Sequence, residues 1–72
     1  MEWVKAGKNE WRLSSPDFEG TAVLNQTNEG YIALVRVEEK QFDMELLNDR
    51  EFFEKEEEAM EFLRDRMDRD SY

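Results

Sequence analysis

The hydrophobic periodicity changes once along this chain, and that change constrains the fold more than any other feature. Up to about residue 53, apolar and polar residues alternate in short runs, which is the pattern of half-buried β-strands. From Lys55 onward the apolar residues recur at 100° per residue, the spacing of one amphipathic helix. The apolar side of that helix is formed by Ala59, Met60, Phe62, Leu63 and Met67. This order predicts an α+β fold: an antiparallel meander sheet of four or five strands, with one C-terminal amphipathic helix packed on one face.

Glycine and turn-forming residues divide the strand region. Gly20 interrupts the third strand, where we expect a β-bulge, and Gly30 closes a polar hairpin loop, where we expect positive φ. Residues 42–46 alternate as a strand with one wet face. Asn48-Asp49 has turn chemistry, so residues 50–53 are predicted as a separate, last short strand.

The strand predicted at 31–37 is apolar on both faces, which is typical of a central strand covered on both sides. Ile32 and Leu34 point one way, and the residues pointing the other way are Tyr31, Ala33, Val35 and Val37. One helix covers only one face of a small sheet. The second cover is either the sheet itself, curled into a monomeric barrel, or another copy of the chain. A chain this short buries only about 60% of its unfolded surface, so we keep a homodimer and a monomer as equal alternatives.

We expect a single domain over 1–72, with the sheet at about 2–53, the helix at about 54–69 and a frayed tail at 70–72. The helix has two candidate starts, near Asp49 and near Lys55. The earlier start would put Glu56 in the buried side, and an unpaired buried carboxylate is costly. We therefore favour the later start.

Charge limits the possible functions. The chain has 19 Asp and Glu against 10 Lys and Arg, a net charge of −9. Such a chain repels nucleic acid, which is bound mainly through Lys and Arg. An acidic surface suits a basic protein partner, mimicry of nucleic acid, or solubility in high salt. Lysine supplies only four of the ten cations, a bias typical of salt-adapted proteins, so a halophilic origin of the acidity stays open.

Catalysis, cofactors and metals find little support in the sequence. There is no cysteine and no histidine, so thiolate sites and a serine–histidine pair are both excluded. The three glycines stand too far apart for a phosphate-binding loop. Asp65, Asp68 and Asp70 cluster near the helix end, but without an EF-hand spacing, and a solvated helix face is the favoured interpretation. The sequence therefore predicts a non-enzymatic protein with no cofactor and no metal.

The leading functional hypothesis is a protein-interaction or regulatory factor, with a basic partner. Its candidate residues form the acidic side of the predicted helix: Glu54, Glu57, Glu58, Glu61 and Asp65. The competing interpretation is an ordinary solvated face. Residues 1–5 lack a basic region followed by an apolar run, and the longest apolar run is too short to span a bilayer. We therefore expect a cytoplasmic protein without membrane contact.

A second hypothesis concerns the N-terminal hairpin, where aromatic and basic residues occur together. Aromatic side chains beside cations on a sheet can stack single-stranded bases. The residues of this nucleic-acid alternative are Trp3, Lys5, Lys8, Trp11 and Arg12. The competing interpretation is that both tryptophans belong to the core or to a dimer contact, and the overall negative charge favours it.

Overall fold

The computed structural model describes residues 3–68 as five strands followed by one helix. The elements are β1 (Trp3–Gly7), β2 (Glu10–Ser14), β3 (Phe18–Gln26), β4 (Tyr31–Glu39), β5 (Met44–Phe53) and α1 (Glu56–Met67). The strands form one sheet in the order β1-β2-β3-β4-β5, and every neighbouring pair is antiparallel. This confirms the predicted α+β meander with one C-terminal helix.

The strand register determines which residues lie under the helix. Paired residues of antiparallel strands share a face, and successive residues alternate between faces. Ala22 pairs with Val35 and Leu24 with Ala33, and all four belong to the cluster that packs on α1. The cluster between this inner face and the helix contains Ala22, Leu24, Ala33, Val35, Ala59, Phe62 and Leu63. Leu13 and Val37 are also buried, outside this cluster.

The opposite side of the sheet, here called the open face, has no helix over it within residues 3–68. Val23, Ile32 and Leu34 are half-buried there by their neighbours, and Phe52 is 47% exposed. Within residues 3–68, β1 and β5 are both edges of the sheet, so the strands do not close into a barrel. By register the open face comprises Val4, Glu10, Arg12, Ser14, Glu19, Thr21, Val23, Asn25, Ile32, Leu34, Arg36, Glu38, Glu45, Asn48, Arg50 and Phe52.

The tight turn predicted at Asn48-Asp49 is wrong. Asn48 pairs with Arg36 and Asp49 with Val35, so β5 continues through them as one ten-residue strand. The physical reason is their position on an edge strand, where polar side chains stay hydrated while β4 supplies a continuous partner.

The strand predicted at 42–46 begins later than expected. Phe42 lies in the turn between β4 and β5, followed by Asp43 with φ of 51°. Aspartate tolerates this left-handed conformation better than most residues. A bulge lies at Leu46, since Glu45 pairs with Glu38 while Leu47 pairs with Val37. The turn therefore places the start of β5 at Met44, and the bulge lies within the strand.

Gly20 does not form a bulge, in contrast to the prediction. It pairs in register with Leu13 and Val37, and the irregularity of the N-terminal strands lies instead beside Gly7. A Cβ atom on Gly20 would lie 2.9 Å from both the Arg36 carbonyl oxygen and the Trp3 ring. Glycine is therefore required because the tryptophan ring crosses directly over the backbone.

Gly30, like Gly20, is required by the close approach of other atoms. It does not adopt positive φ, and the chain around it is held by Thr27, whose hydroxyl accepts from the Gly30 N–H at 3.0 Å. A Cβ atom on Gly30 would lie 2.8 Å from the Phe52 ring and closer still to the Phe53 carbonyl oxygen. Close approach of β5, rather than backbone conformation, requires this glycine.

The helix begins at Glu56, after an extended Lys55 that makes no side-chain cap hydrogen bond. The earlier of the two predicted starts does not form, because β5 occupies the chain through Phe53. Acidic residues fill the first turn and two arginines the last, which is the arrangement that the helix dipole favours. The helix ends at Met67 with Asp68 as its C-cap, shortly before the predicted end at about 69. The tail predicted at 70–72 lies outside the described residues.

Candidate protein-binding surface

The acidic residues singled out in the sequence lie on the outward side of α1. Ala59, Phe62 and Leu63 anchor the opposite side of the helix in the core. Glu57, Glu58, Glu61 and Asp65 are all exposed, and Glu54 lies in the bend before the helix. The structure therefore brings four of the five onto one helical arc and sets Glu54 beside its first turn.

The helix start and the beginning of β4 enclose a shallow groove. Tyr31 and Met60 are half-buried and pack against the core cluster, so they give the groove an apolar floor. We name this the acidic groove, and its lining residues are Tyr31, Glu54, Lys55, Glu56, Glu57, Met60, Glu61 and Arg64. Four glutamates against one lysine and one arginine give the lining a net charge of −2.

The spacing of the carboxylates on α1 lowers the stability of the helix. Glu57, Glu61 and Asp65 follow one another at i,i+4 spacing, and each such like-charge pair costs an isolated helix about 0.2–0.5 kcal/mol. Within residues 3–68, no ion pair or side-chain hydrogen bond is formed by Glu57, Glu58 or Glu61. These three carboxylates therefore face solvent without an ion-pair partner in the described part of the chain.

Asp65 differs from the other carboxylates because it has a structural contact. Arg66 Nη1 donates to Asp65 Oδ2 at 2.8 Å, and Arg66 Nε donates to Asp49 Oδ2 at 3.1 Å. The guanidinium also lies 3.9 Å from the centre of the Phe62 ring. Arg66 thus ties the last helical turn to β5, and Asp65 belongs partly to this tie.

Sequence reasoning missed Lys55, Glu56 and Arg64 on the rim of the acidic groove, together with its two apolar residues, Tyr31 and Met60. Both were assigned to apolar stripes, and both do contact the core. The signal that distinguishes them is position: Tyr31 is the first residue of β4, and Met60 lies at the border of the helix's apolar arc. Residues at such borders are half-covered, so they line grooves at the edge of a core.

The aspartates near the helix end do not assemble a metal site in the part of the chain that the structure describes. Among residues 3–68, no group of three Asp or Glu side chains is close enough to hold an ion. Asp65 instead pairs with Arg66, and Asp70, the third member of the predicted cluster, lies outside the described residues.

The residues of the nucleic-acid alternative lie on different surfaces of the sheet. Trp3 and Trp11 lie on the inner face, half-buried against the core, and Lys5 Nζ is 6.0 Å from the Trp11 ring centre. Arg12 lies on the open face, and Lys8 lies in the turn between β1 and β2. The tryptophans occupy the positions that their core interpretation requires, and the five residues do not share one surface.

A comparison of the chain with protein-family models, with curated proteins and with solved structures finds no match. Within residues 3–68, the single helix is neither long nor apolar enough to cross a membrane.

Proposed function

We propose that this chain is a non-catalytic protein-binding module, and that it takes a basic segment of a partner protein in the acidic groove. The observation that carries the proposal is the combination of unpaired carboxylates with a half-buried apolar floor. Glu57 and Glu61 stand beside Met60 and Tyr31 in one concave surface. A purely solvated acidic face does not require such a floor.

This composition suits a lysine or arginine side chain of the partner. The aliphatic stem of such a side chain covers apolar surface while its charged end stays hydrated or pairs with an acid. Tyr31 and Met60 would receive the stem, and Glu57 or Glu61 the charged group, through charge-assisted hydrogen bonds. A partner that normally binds the phosphates of nucleic acid has the same chemistry, so mimicry of nucleic acid is a special case of this proposal.

The charge distribution also supports fast, salt-sensitive association. A net charge of −9 on so small a chain attracts a basic partner over several ångströms and raises the association rate at low ionic strength. Because the carboxylates are exposed, added salt screens them, with a Debye length of about 10 Å at 0.1 M. Binding through the groove is therefore expected to weaken steeply with salt.

The exposure of the acidic side chains to water supports the non-catalytic part of the proposal. None of the Asp and Glu side chains in residues 3–68 is buried. Acid–base chemistry by carboxylates relies on a pocket that desolvates one of a pair. The groove offers open, hydrated acids, which suit binding.

The test is the affinity for an arginine- and lysine-rich peptide, measured by calorimetry at low salt. We expect Glu57→Lys combined with Glu61→Lys to reduce the affinity at least tenfold, since two reversed contacts together amount to about 1.4 kcal/mol or more. The matched control is Glu19→Lys with Glu45→Lys, the same change of charge on the open face. Equal loss in both double variants would mean that net charge alone attracts the peptide, and would contradict the groove.

A further inference from the structure

The sheet has two edge strands, and they differ in how much free backbone they offer. β1 has five residues, and its register shifts between Lys5 and Gly7. β5 has ten residues and pairs with β4 without interruption over 47–53. An edge strand presents unpaired N–H and C=O groups to any extended chain that comes beside it. β5 is therefore the longer template of the two.

Two hydrogen bonds determine which residues of β4 bond to β3. The Thr27 N–H donates to the Gly30 carbonyl oxygen at 2.8 Å, and the Lys40 N–H donates to the Asp17 carbonyl oxygen at 2.9 Å. These bonds flank the β3–β4 ladder at its two ends, and the register between them is uninterrupted. In an antiparallel pair, hydrogen-bonded residues alternate with residues whose backbone groups point the other way. The even-numbered residues of 32–38 therefore bond to β3, and the odd-numbered residues of 31–37 bond to β5.

The same alternation identifies the free backbone groups of β5. The β5 partners of the odd-numbered β4 residues are Leu47, Asp49, Glu51 and Phe53. The N–H and C=O groups of Asn48, Arg50 and Phe52 consequently point away from the sheet, and we call these three residues the free edge. Within residues 3–68, no other hydrogen bond occupies those groups.

Beside the free edge, on the inner face, an acidic cleft lies between β5 and α1. Its apolar lining is the ring pair of Phe53 and Phe62, whose centres are 5.4 Å apart. Four acids and Arg66 complete the lining, so its net charge is −3. The acids are Glu51, Glu58, Glu61 and Asp65. Arg66 is already bonded to Asp49 and Asp65, whereas the three glutamates form no ion pair within residues 3–68.

We infer that β5 binds an extended segment of another protein, with basic residues at alternate positions, as an antiparallel sixth strand of the sheet. The backbone of the segment pairs with the free edge, a known mode of peptide recognition. Its basic side chains face α1, where their stems cover the rings of Phe53 and Phe62 and their charges meet Glu51 and Glu58. The residues between them lie on the open face, beside Phe52.

The charge of β5 favours this occupant over a second copy of the chain. Two copies that paired through β5 about Arg50 would set Asp49 of each opposite Glu51 of the other. Like charges directly opposite one another destabilise a strand pair, and each copy carries a net charge of −9. The acids of β5 therefore oppose self-pairing and attract a basic segment along the same edge.

The edge site and the acidic groove lie on opposite flanks of α1, and their linings share only Glu61. The edge site does not rest on the proposed binding in the groove. Substitutions at Glu51 and Glu58 test the edge, and substitutions at Glu56 and Glu57 test the groove, so the failure of one leaves the other standing.

The first experiment uses a peptide of alternating lysine and threonine, about ten residues long, at low salt. When its lysines face α1, its threonines share the face of the free edge and supply the bonding N–H groups. Methylation of the threonine backbone nitrogens is expected to lower the affinity at least about tenfold. Methylation of the lysine backbone nitrogens is the matched control, with the same charge, and is expected to change it less than about twofold. Equal affinities of the two methylated peptides would overturn the sixth strand, and a loss confined to methylated lysine would overturn its antiparallel direction.

Hydrogen exchange on the unmodified chain gives a second reading of the same site. At saturating peptide, we expect the amide exchange of Asn48, Arg50 and Phe52 to slow at least about tenfold, because each gains a hydrogen-bond partner. Unchanged exchange at all three amides would overturn the inference.

A variant of the free edge separates backbone pairing from charge. Arg50→Pro removes one outward N–H and makes the chain more acidic, so charge alone would strengthen binding of the basic peptide. We expect it to weaken binding at least about threefold. Arg50→Ala is the matched control, with the same charge change and the N–H retained, and circular dichroism checks both folds. Arg50→Pro binding as tightly as Arg50→Ala, with both chains folded, would contradict the pairing.

The cleft is tested by charge reversal. Glu51→Lys combined with Glu58→Lys is expected to weaken the alternating peptide at least about tenfold. Glu56→Lys combined with Glu57→Lys makes the same charge change in the acidic groove and is expected to cost clearly less. Equal losses would mean that net charge alone attracts the peptide, and would overturn the cleft as its binding site.

Discussion

The two faces of this sheet differ in how far their apolar side chains are buried. The inner face packs against α1, and Ala33, Val35 and Leu63 of that contact are at most 1% exposed. On the open face, Ile32 and Leu34 of the same central strand are only half-buried, beside arginines and an exposed Phe52. Alternation along a strand determines which side chains share a face. The position of α1 determines which of the two faces is covered. The strength of this contrast can be measured by substitutions on both sides.

The largest effect is expected from truncation at the helix–sheet contact. Leu63→Ala removes a fully buried side chain between α1 and the inner face, which typically costs about 2–5 kcal/mol of unfolding free energy. For a chain of this size, each kcal/mol lowers the melting temperature by about 4–8 °C. Leu34→Ala, on the open face, is the comparison and is expected to cost clearly less in the monomer. Equal losses in urea titrations would contradict the difference between the faces.

The second-largest loss of stability is expected at Gly20, where the Trp3 ring crosses the sheet. Gly20→Ala forces a methyl group against the Arg36 carbonyl oxygen and the tryptophan ring, and overpacking of this kind costs about 1–3 kcal/mol. The shifted ring should also change the tryptophan fluorescence. Gly7→Ala is the matched control, since the nearest atom to its new methyl group would be 3.7 Å away. A stability loss at Gly7 as large as at Gly20 would show that the backbone, and not the ring, is responsible.

A smaller effect is expected at the tie between the helix end and β5. Arg66→Gln removes the ion pairs with Asp49 and Asp65 and most of the contact over Phe62, and we expect a cost of about 1 kcal/mol. Arg66→Lys is expected to recover only part of it, because an ammonium group does not stack as a planar guanidinium does. A double-mutant cycle with Asp49→Asn measures the coupling, and additive losses would mean that the pair contributes nothing.

The smallest effect on stability has the opposite sign. Glu61→Gln relieves like-charge pairs with Glu57 and Asp65, so we expect the unfolding free energy to rise by a few tenths of a kcal/mol. The same change is expected to weaken binding of the basic peptide, because it removes a carboxylate of the acidic groove. A chain that becomes more stable and binds less well would separate function from folding at this position.

Salt distinguishes the binding proposal from the halophilic interpretation of the same charge. Screening of the helix carboxylates is nearly complete by 1 M, where the Debye length is about 3 Å. We therefore expect the melting temperature to rise modestly with KCl and then level off. A melting temperature that keeps rising well beyond 1 M KCl would support salt adaptation as the origin of the acidity.

The fold was predictable because hydrophobic periodicity alone distinguishes the strands from the helix. The helix has a single apolar side, and that side packs on one face of the sheet. Each error has a specific physical cause. Asn48 and Asp49 look like a turn, but an edge strand hydrates their side chains. Gly20 and Gly30 look like bulge and turn glycines, yet both are required by atoms from distant strands. The floor of the acidic groove escaped prediction for the same reason, since Tyr31 and Met60 meet only when the helix folds back.

The most direct test of the acidic groove is an amide chemical-shift titration of the chain with the basic peptide at low salt. The account predicts shifts around Tyr31, Glu57 and Met60, and none at the open-face residues Val23 and Leu34. Shifts confined to the open face, or spread evenly over every exposed carboxylate, would contradict it.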